Sequence, residues 1–206
     1  MIRAFHLRNR LQALAKSVSC DDRASQLVEF AVALPLLVVF VVGIFDFSGA
    51  YTLKQKLTNV AGDAARMAAA DPSNDLKSPS AAVPVSVDDA FQMVDGYFLT
   101  GNLTDCTPSL NSTTGLTWTY TGTTNCPPGG LTIVINRGYY FPAVGATTVS
   151  ANCTSPALAG QTAVIGTCVS ISYAYQWKFG QAASLLGRSI VLPTTITASA
   201  VAMNED

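Results

Sequence analysis

The chain has 206 residues, enough for one ordinary domain with an appendage but too few for two full domains. Its composition is 49% hydrophobic and only 12% charged, which excludes a disordered polyelectrolyte. The formal net charge is -1 and no basic block follows residue 66, so the sequence offers no cation cluster for a nucleic acid.

Residues 1–24 form a basic leader in front of the most apolar stretch of the chain. Up to residue 23 the cations outnumber the acids, with Arg3, Arg8, Arg10, Lys16 and Arg23 against Asp21 and Asp22. No ionisable residue then occurs from Phe30 to Phe45. This pattern predicts a transmembrane helix over 25–47 with a cytoplasmic amino terminus, and places everything after about residue 50 outside.

Two residues of this run are unusual for a lipid-embedded helix. A carboxylate such as Glu29 costs about 2.5 to 3.5 kcal/mol at the centre of a membrane helix and less near its end. We therefore expect Glu29 to have a partner or to lie near a bilayer face. Pro35 removes one backbone hydrogen bond and predicts a helix kink.

The helical pattern continues beyond the apolar run as an amphipathic segment over 48–71. Apolar residues recur every three or four positions from Leu53 to Ala68, and Asp63 and Arg66 can pair on the polar side. Proline at position 72 predicts the stop. The sequence thus predicts a single long helix over 26–70, followed by a linker over 72–84.

Residues 72–206 are predicted to form an α+β domain outside the membrane. A helix is expected over 87–99, with Ser86 and Asp89 as a capping pair and Gly101 as the stop. Thr, Val, Ile and aromatic residues predict strands at 116–120, 131–136, 163–175 and 190–203. The expected fold is an antiparallel sheet of about four strands with one buried face, covered by the amphipathic half of the long helix.

The cysteines divide into Cys20 before the apolar run and four after it: Cys106, Cys126, Cys153 and Cys168. An even number on one side predicts two disulfides in an oxidising compartment. Three pairings are open, of which the nearest-neighbour one closes two short loops. A zinc site is the weaker alternative, because no CxxC pair occurs and no histidine follows residue 6.

No enzyme is predicted. His6, the sole histidine, lies in the leader, so a Ser-His-Asp or Cys-His site outside the membrane is excluded. No metal, cofactor or phosphate-binding motif is present in the sequence. The carboxylates Asp88, Asp89, Asp95 and Asp105 are interpreted as helix-start and surface residues rather than as acid and base catalysts.

Three blocks of the sequence resemble a known family. These blocks are QLVEFAVALPLLVVFVVGIFDF at 26–47, QKLTNVAGDAARMAAA at 55–70 and TASAVAMNED at 197–206. The small residue Ala24, followed by four residues and then Glu29-Phe30, is similar to the processing signature of type IV prepilins, with alanine at 24 in place of the usual glycine. The blocks together resemble TadE-like minor pilins, or pseudopilins, of the tight adherence (Tad, type IVc pilus) system; residues 72–165 carry no recognised motif.

The resemblance implies a minor structural subunit for assembly of a type IVc pilus in surface attachment and biofilm formation. It implies cleavage between Ala24 and Ser25, with Glu29 pairing with the Ser25 amine of a neighbouring subunit. It implies a bacterial inner-membrane protein with a periplasmic or extracellular carboxyl domain, possible incorporation into the pilus and no cofactor. The implied partners are prepilin peptidase, other Tad minor pilins, the major Flp-type pilin, the inner-membrane assembly platform and membrane lipid.

Two alternatives from other classes remain open. A signal peptidase that cuts after Ala50, in Ser48-Gly49-Ala50, would release a soluble exported domain. The second alternative is a generic binding protein anchored by a single membrane pass. Its adhesive face would consist of aromatic residues: Trp118, Tyr120, Tyr139, Tyr140 and Trp177.

Overall fold

The computed structural model of the chain describes residues 22–72, 74, 76, 83–101, 103–142, 149–155, 163–178 and 192–205. These residues form two α-helices and five strands: α1 (Asp22–Ala70), α2 (Val85–Thr100), β1 (Ser109–Thr114), β2 (Thr117–Gly122), β3 (Leu131–Pro142), β4 (Ala163–Ala174) and β5 (Thr195–Met203). The α+β arrangement with a long amino-terminal helix confirms the predicted fold class, with one strand more than expected.

Helix α1 contributes to two compact units. Its residues up to Asp46 belong to the first unit, and the second unit begins at Phe47 and includes α2 and all five strands. The helix ends at Ala70, immediately before Asp71-Pro72, as the proline predicts. It begins at Asp22, four residues before the expected start.

The core of the second unit lies between the helices and one face of the sheet. Helix α1 buries a stripe in which Leu53, Leu57 and Val60 are the large residues and the later members are alanines: Ala50, Leu53, Leu57, Val60, Ala61, Ala64, Ala65 and Ala68. These side chains form one cluster with Ile133, Ile135, Val169 and Ile171 of the sheet. The amphipathic half of α1 therefore covers the sheet as predicted, and its alanines allow close packing.

Helix α2 adds a second layer to the same core. Val87, Ala90, Val94 and Phe98 are fully buried at helical spacing, and Phe98 packs on Tyr173 with ring centroids 5.4 Å apart. Gly101 ends the helix by donating its N–H to the Tyr97 carbonyl, as expected. The expected Ser86–Asp89 capping pair is wrong, because Pro84 occupies the cap position and Ser86 is buried inside the helix.

The five strands form an antiparallel meander in the order β1-β2-β3-β4-β5. The turn Cys126-Pro127-Pro128-Gly129-Gly130 connects β2 to β3, and both of its glycines have positive φ. A side chain on Gly130 would meet the Gly122 carbonyl oxygen at 2.4 Å. Only glycine therefore fits this position between the two strands.

Strand β1 was not predicted from the sequence. Its six residues, SLNSTT, are all exposed, and the strand lies at the edge of the sheet. A strand that is exposed on both faces has no apolar alternation to identify it. Polar residues on an edge strand also discourage pairing with other chains.

The prediction that only one face of the sheet is buried needs correction. On the face opposite the helices, Cys153, Cys168 and Tyr139 form a second, smaller cluster with Val134 and Val201. The described segment 149–155 reaches this face, where the Asn136 amide donates to the Cys153 carbonyl at 2.9 Å. This disulfide-bearing loop therefore covers part of the outer face.

Candidate membrane and assembly site

The first unit, in its described residues, presents a helix surface that is apolar and exposed. Helix α1 is long and apolar enough to cross a membrane, and only 6% of its most apolar window is buried. Large apolar side chains are exposed on every side of the helix, including Leu27, Phe30, Leu37, Phe40, Ile44 and Phe45. A helix that is apolar all round requires an apolar surrounding, either lipid or other helices.

Glu29 lies on this apolar surface, in the third turn of α1. Ser25 and Glu29 are both exposed and are four residues apart, so they share one face of the helix. Among the described residues the Glu29 carboxylate forms no ion pair with another side chain. A partner from a second chain would therefore meet the carboxylate on an open helix face.

The position of the expected processing site differs from the prediction in one respect. Residues 24 and 25 lie inside α1, because the helix begins at Asp22. Ser25 and Phe30 are exposed, whereas the side chain of Ala24 and residues 1–21, including Cys20, lie outside the described part of the chain. A peptidase that cuts between Ala24 and Ser25 would have to open the first turn of this helix.

Pro35 lies in the interior of α1, and the helix continues on both sides of it. Since proline has no N–H, the carbonyl of Ala31 loses its normal helical donor. Lipid cannot supply a donor, but a neighbouring helix can.

Asp46, eleven residues after Pro35, is only 7% exposed, although Phe45 and Phe47 beside it are 74% and 52% exposed.

The carboxyl end of α1 is held by a buried arginine that sequence reasoning missed. Arg137 is fully buried and donates to the carbonyls of Ala68 and Asp71, the second at 3.1 Å. It also donates to the Thr167 hydroxyl at 2.9 Å. Because the carbonyl end of a helix carries partial negative charge, a cation there is favourable.

A bulge in β3 directs Arg137 towards the helix end. Asn136 pairs with Cys168 and Tyr139 pairs with Gly166, so Arg137 and Gly138 both lie opposite Thr167. The sequence signal for this bulge is Arg-Gly inside a run of strand-forming residues. That signal alone could not show that the arginine side chain is buried.

The chain terminus joins the same network. Asn204 donates to the Arg137 carbonyl at 3.2 Å and accepts from the Thr167 hydroxyl at 2.6 Å. The Glu205 N–H donates to the Ala69 carbonyl at 3.0 Å. The described carboxyl-terminal residues thus close the end of α1 together with Arg137.

The four cysteines beyond the apolar run form two disulfides. Cys106 is bonded to Cys126 and Cys153 to Cys168, with Cα–Cα distances of 5.1 and 5.5 Å. This is the nearest-neighbour pairing along the chain. Among the described residues no group of three His, Cys, Asp or Glu side chains could hold a metal ion.

Two of the four carboxylates, Asp95 and Asp105, form a pair. The pKa of Asp95 is raised to about 6, first by burial and then by the neighbouring Asp105, which accepts a hydrogen bond from the protonated carboxyl and repels its charged form. Asp88 instead binds the Gln92 amide at 2.7 Å on the helix surface. Burial raises the pKa of Tyr120 to about 12, with Asp88 adding to the shift, so this phenol remains neutral.

The five aromatic residues of the adhesive-face alternative are mostly core residues. Trp118, Tyr120 and Tyr139 are at most 4% exposed. Tyr140 and Trp177 retain more exposed surface. Tyr140 pairs with Ile165 near the start of β4, whereas Trp177 follows the end of that strand. The described structure therefore does not assemble the five into one adhesive surface.

Comparison with known proteins identifies one family for the amino-terminal helix. The family model described as TadE-like protein matches residues 24–66, which include Ser25, Glu29, Pro35 and most of the amphipathic half of α1. The match confirms the resemblance noted for these residues and associates the chain with the Tad pilus system in general. This family comprises structural or assembly components of the pilus rather than enzymes. No curated protein and no solved structure matches the chain.

Proposed function

From the match of residues 24–66 to the TadE-like family, we propose that this protein is a minor-pilin-like structural subunit of the tight adherence (type IVc) pilus. It is held in the bacterial inner membrane by the apolar half of α1, with a cytoplasmic amino terminus. The second unit lies on the periplasmic or extracellular side. It contributes to surface attachment and biofilm formation by packing into or initiating the fibre, without catalysing a reaction.

The observation that supports this proposal is the division of α1 into two unlike halves. Residues 25–45 expose large apolar side chains in all directions, whereas the stripe from Leu53 to Ala68 is buried against the sheet. Burial of a large apolar side chain stabilises a protein by about 1.5 to 3 kcal/mol, and a side chain left in water does not contribute this free energy. Lipid before assembly, and neighbouring helices after it, would cover this surface.

Glu29 supplies the specific contact in this proposal. Cleavage after Ala24 would create an amine at Ser25, on the same helix face as Glu29. In a low-dielectric surrounding, an amine and a carboxylate attract strongly when both are well placed. The carboxylate of one subunit then pairs with the amine of the next and sets the register between them, while Pro35 bends the helix for packing.

The proposed contact is tested by Glu29→Ala and Glu29→Gln. We expect both variants to insert into the membrane normally and to enter sheared fibres at least tenfold less than wild type, since 1.4 kcal/mol of lost pairing energy suffices for a tenfold effect. Val28→Ala, an exposed neighbour on the same turn, is the matched control and should assemble normally. Unchanged assembly of both Glu29 variants would contradict the role assigned to the carboxylate.

The mature amino terminus separates this proposal from the exported-domain alternative. Mass measurement of the native protein should show a chain that begins at Ser25. A chain that begins at Tyr51 would establish release by signal peptidase, and one that still begins at Met1 would contradict the processing step. The structure disfavours a cut after Ala50, because Ala50 is buried in the second unit and Phe47 packs on Trp177 with centroids 5.1 Å apart.

The partners in this proposal are prepilin peptidase, other Tad minor pilins, the major Flp-type pilin and the inner-membrane assembly platform. Co-sedimentation with sheared surface filaments is expected for a pilus subunit. A generic membrane-anchored binding protein would instead stay dispersed in the membrane fraction after shearing. Two disulfides in the second unit support its placement in an oxidising compartment.

A further inference from the structure

A groove of about 320 Å³ opens beside α1 where the second unit begins. Phe47, Tyr51 and Lys54 line it from the helix, and Trp177, Pro193 and Ile196 line it from the sheet side. Its volume is in the range of small-molecule binding sites. Neither the match to the amino-terminal helix nor the contact at Glu29 accounts for it.

The helix wall of the groove changes character over a short distance. Phe47, Tyr51 and Lys54 are spaced by four and three residues, so they lie along one face of α1 and span about 10 Å of its length. Their side chains are, in order, a hydrocarbon ring, a ring with a hydroxyl, and a cation. The same order of groups, from hydrocarbon to polar linkage to phosphate, occurs across one leaflet of a phospholipid bilayer.

The opposite wall is fixed in place before any ligand arrives. The Trp177 indole N–H donates to the Pro193 carbonyl, and the ring packs edge-on against Tyr175 with centroids 4.9 Å apart. Tyr175 in turn lies against the helix at Gly49, where an added Cβ would be 3.0 Å from the tyrosine oxygen. Glycine at this position thus lets the aromatic wall approach α1 closely.

The helix wall exposes two aromatic rings and one cation. Phe47 is 52% and Tyr51 is 66% exposed. Within the described residues the Lys54 ammonium forms no ion pair. Aromatic rings of this kind are enriched where a membrane meets water, and an unpaired ammonium there attracts anionic lipid.

We propose that this groove binds one anionic phospholipid of the bilayer that α1 crosses. Lys54 pairs with the lipid phosphate, Tyr51 and Trp177 lie at the level of the glycerol linkage, and Phe47 contacts the first part of the acyl chain. The inference depends on the proposed function in one respect, namely that α1 is embedded in lipid up to Phe47. It adds a lipid site on the outer leaflet that holds this part of the second unit at the membrane surface.

The two tryptophans of the chain allow a direct test. In Trp118→Phe, Trp177 becomes the only tryptophan, and in Trp177→Phe the buried Trp118 serves as the control. The full-length protein is reconstituted in phosphatidylcholine nanodiscs with increasing fractions of dibrominated phosphatidylglycerol, which quenches nearby indoles. Trp177 fluorescence should fall more steeply than the bulk lipid fraction predicts, and Trp118 fluorescence should remain unchanged.

Two lysines on α1 separate a defined site from general surface charge. Lys54 lines the groove, whereas Lys56 is exposed on the same helix and does not line it. In the Trp118→Phe background, Lys54→Gln should lower the preference of Trp177 for phosphatidylglycerol over phosphatidylcholine about fivefold. Lys56→Gln, which removes the same charge, should leave that preference unchanged.

The outcomes that overturn the proposal are distinct from those that overturn the function. Three results would each refute the lipid site alone. The first is equal effects of Lys54→Gln and Lys56→Gln, and the second is equal quenching by brominated phosphatidylcholine. The third is no quenching of Trp177 in a protein that resists carbonate extraction. Release of the protein from native membranes by carbonate would instead refute the membrane embedding of α1 on which the proposed function depends.

Discussion

The last turn of α1 contains no basic residue, and Arg137 of β3 supplies a cation at this helix end instead. Its guanidinium reaches the helix end from β3 and satisfies carbonyls that no helical N–H can reach. The side chain is fully buried, so contacts inside the protein replace its hydration. Removal of such a group leaves buried acceptors without donors, which costs more than the contacts themselves contribute.

Arg137→Met is therefore expected to lower the free energy of unfolding by about 3 kcal/mol. The matched control is Arg66→Met, because Arg66 pairs with Asp63 at 3.7 Å on an exposed surface, where such a pair contributes about 0 to 1 kcal/mol. Urea unfolding of the full-length protein in detergent, followed by circular dichroism, measures both. Equal losses for the two variants would show that Arg137 is not a structural cation.

Asp95 makes stability depend on pH in the opposite sense to an ordinary paired carboxylate. Its pKa is about 6 in the folded protein, above the ordinary value of 3.8. The folded state therefore holds the proton more tightly, and the contribution of this group to stability is full below pH 3.8 and is lost as the pH rises through 6.

Asp95→Asn should gain stability relative to wild type as the pH rises from 4 to 6.5, with no further gain above that range. Thermal unfolding of both proteins across this range measures the difference. In Asp105→Asn, NMR titration of the Asp95 carboxyl should give a lower pKa, because the neighbouring charge is absent. A wild-type-to-variant difference that is constant with pH would contradict this account.

At the scale of the elements, the two disulfides fix segments that the strands alone do not hold. Cys153–Cys168 ties a loop to the outer face of β4, and Cys106–Cys126 joins the chain before β1 to the turn after β2. The separations of 15 and 20 residues correspond to loop-closure contributions of roughly 3 kcal/mol each.

Replacement of both Cys153 and Cys168 by alanine should cost at least as much as replacement of both Cys106 and Cys126, although it opens the shorter loop. Both cysteines of the first pair are fully buried beside Tyr139, whereas Cys126 of the second pair is only partly buried, so loss of the first pair removes more packing. Urea unfolding with and without dithiothreitol measures both effects. In each double variant the reductant should act only through the disulfide that remains. A larger loss for Cys106 and Cys126 would contradict the packing contribution.

The elements with strong periodicity were predictable from the sequence, and those without it were not. The stop of α1, the buried face of α2 and the four apolar strands follow from proline, helical spacing and β-branched residues. Strand β1 has no apolar face, and Ser86 and Asp89 fit a capping pattern that Pro84 pre-empts. The Arg137 network joins residues far apart in sequence, so no local pattern could indicate it.

At the scale of the whole molecule, the start of the second unit determines which shortened chains are stable. Phe47 and Ala50 belong to the second unit, but a signal peptidase cut after Ala50 would remove them. Their contacts are with Trp177 and with the helix-sheet core, respectively. A domain released at Tyr51 would therefore lack part of its own packing.

A chain of residues 47–206 should be more stable than one of residues 51–206 by about 1 to 2 kcal/mol. The gain comes from burial of Ala50 and from the aromatic pair of Phe47 and Trp177. Urea unfolding in the absence of detergent measures the difference. Equal stability would show that the four residues contribute nothing, and it would favour the exported-domain alternative.

In the fibre proposed above, the closure of the α1 terminus has a mechanical consequence. Tension that enters through α1 passes to the sheet along the buried stripe and, at its far end, through Arg137 and the carboxyl-terminal residues. Load is therefore shared by many parallel contacts before it reaches the covalent chain beyond Asp71. We expect a force along α1 in that fibre to load these contacts together, in shear.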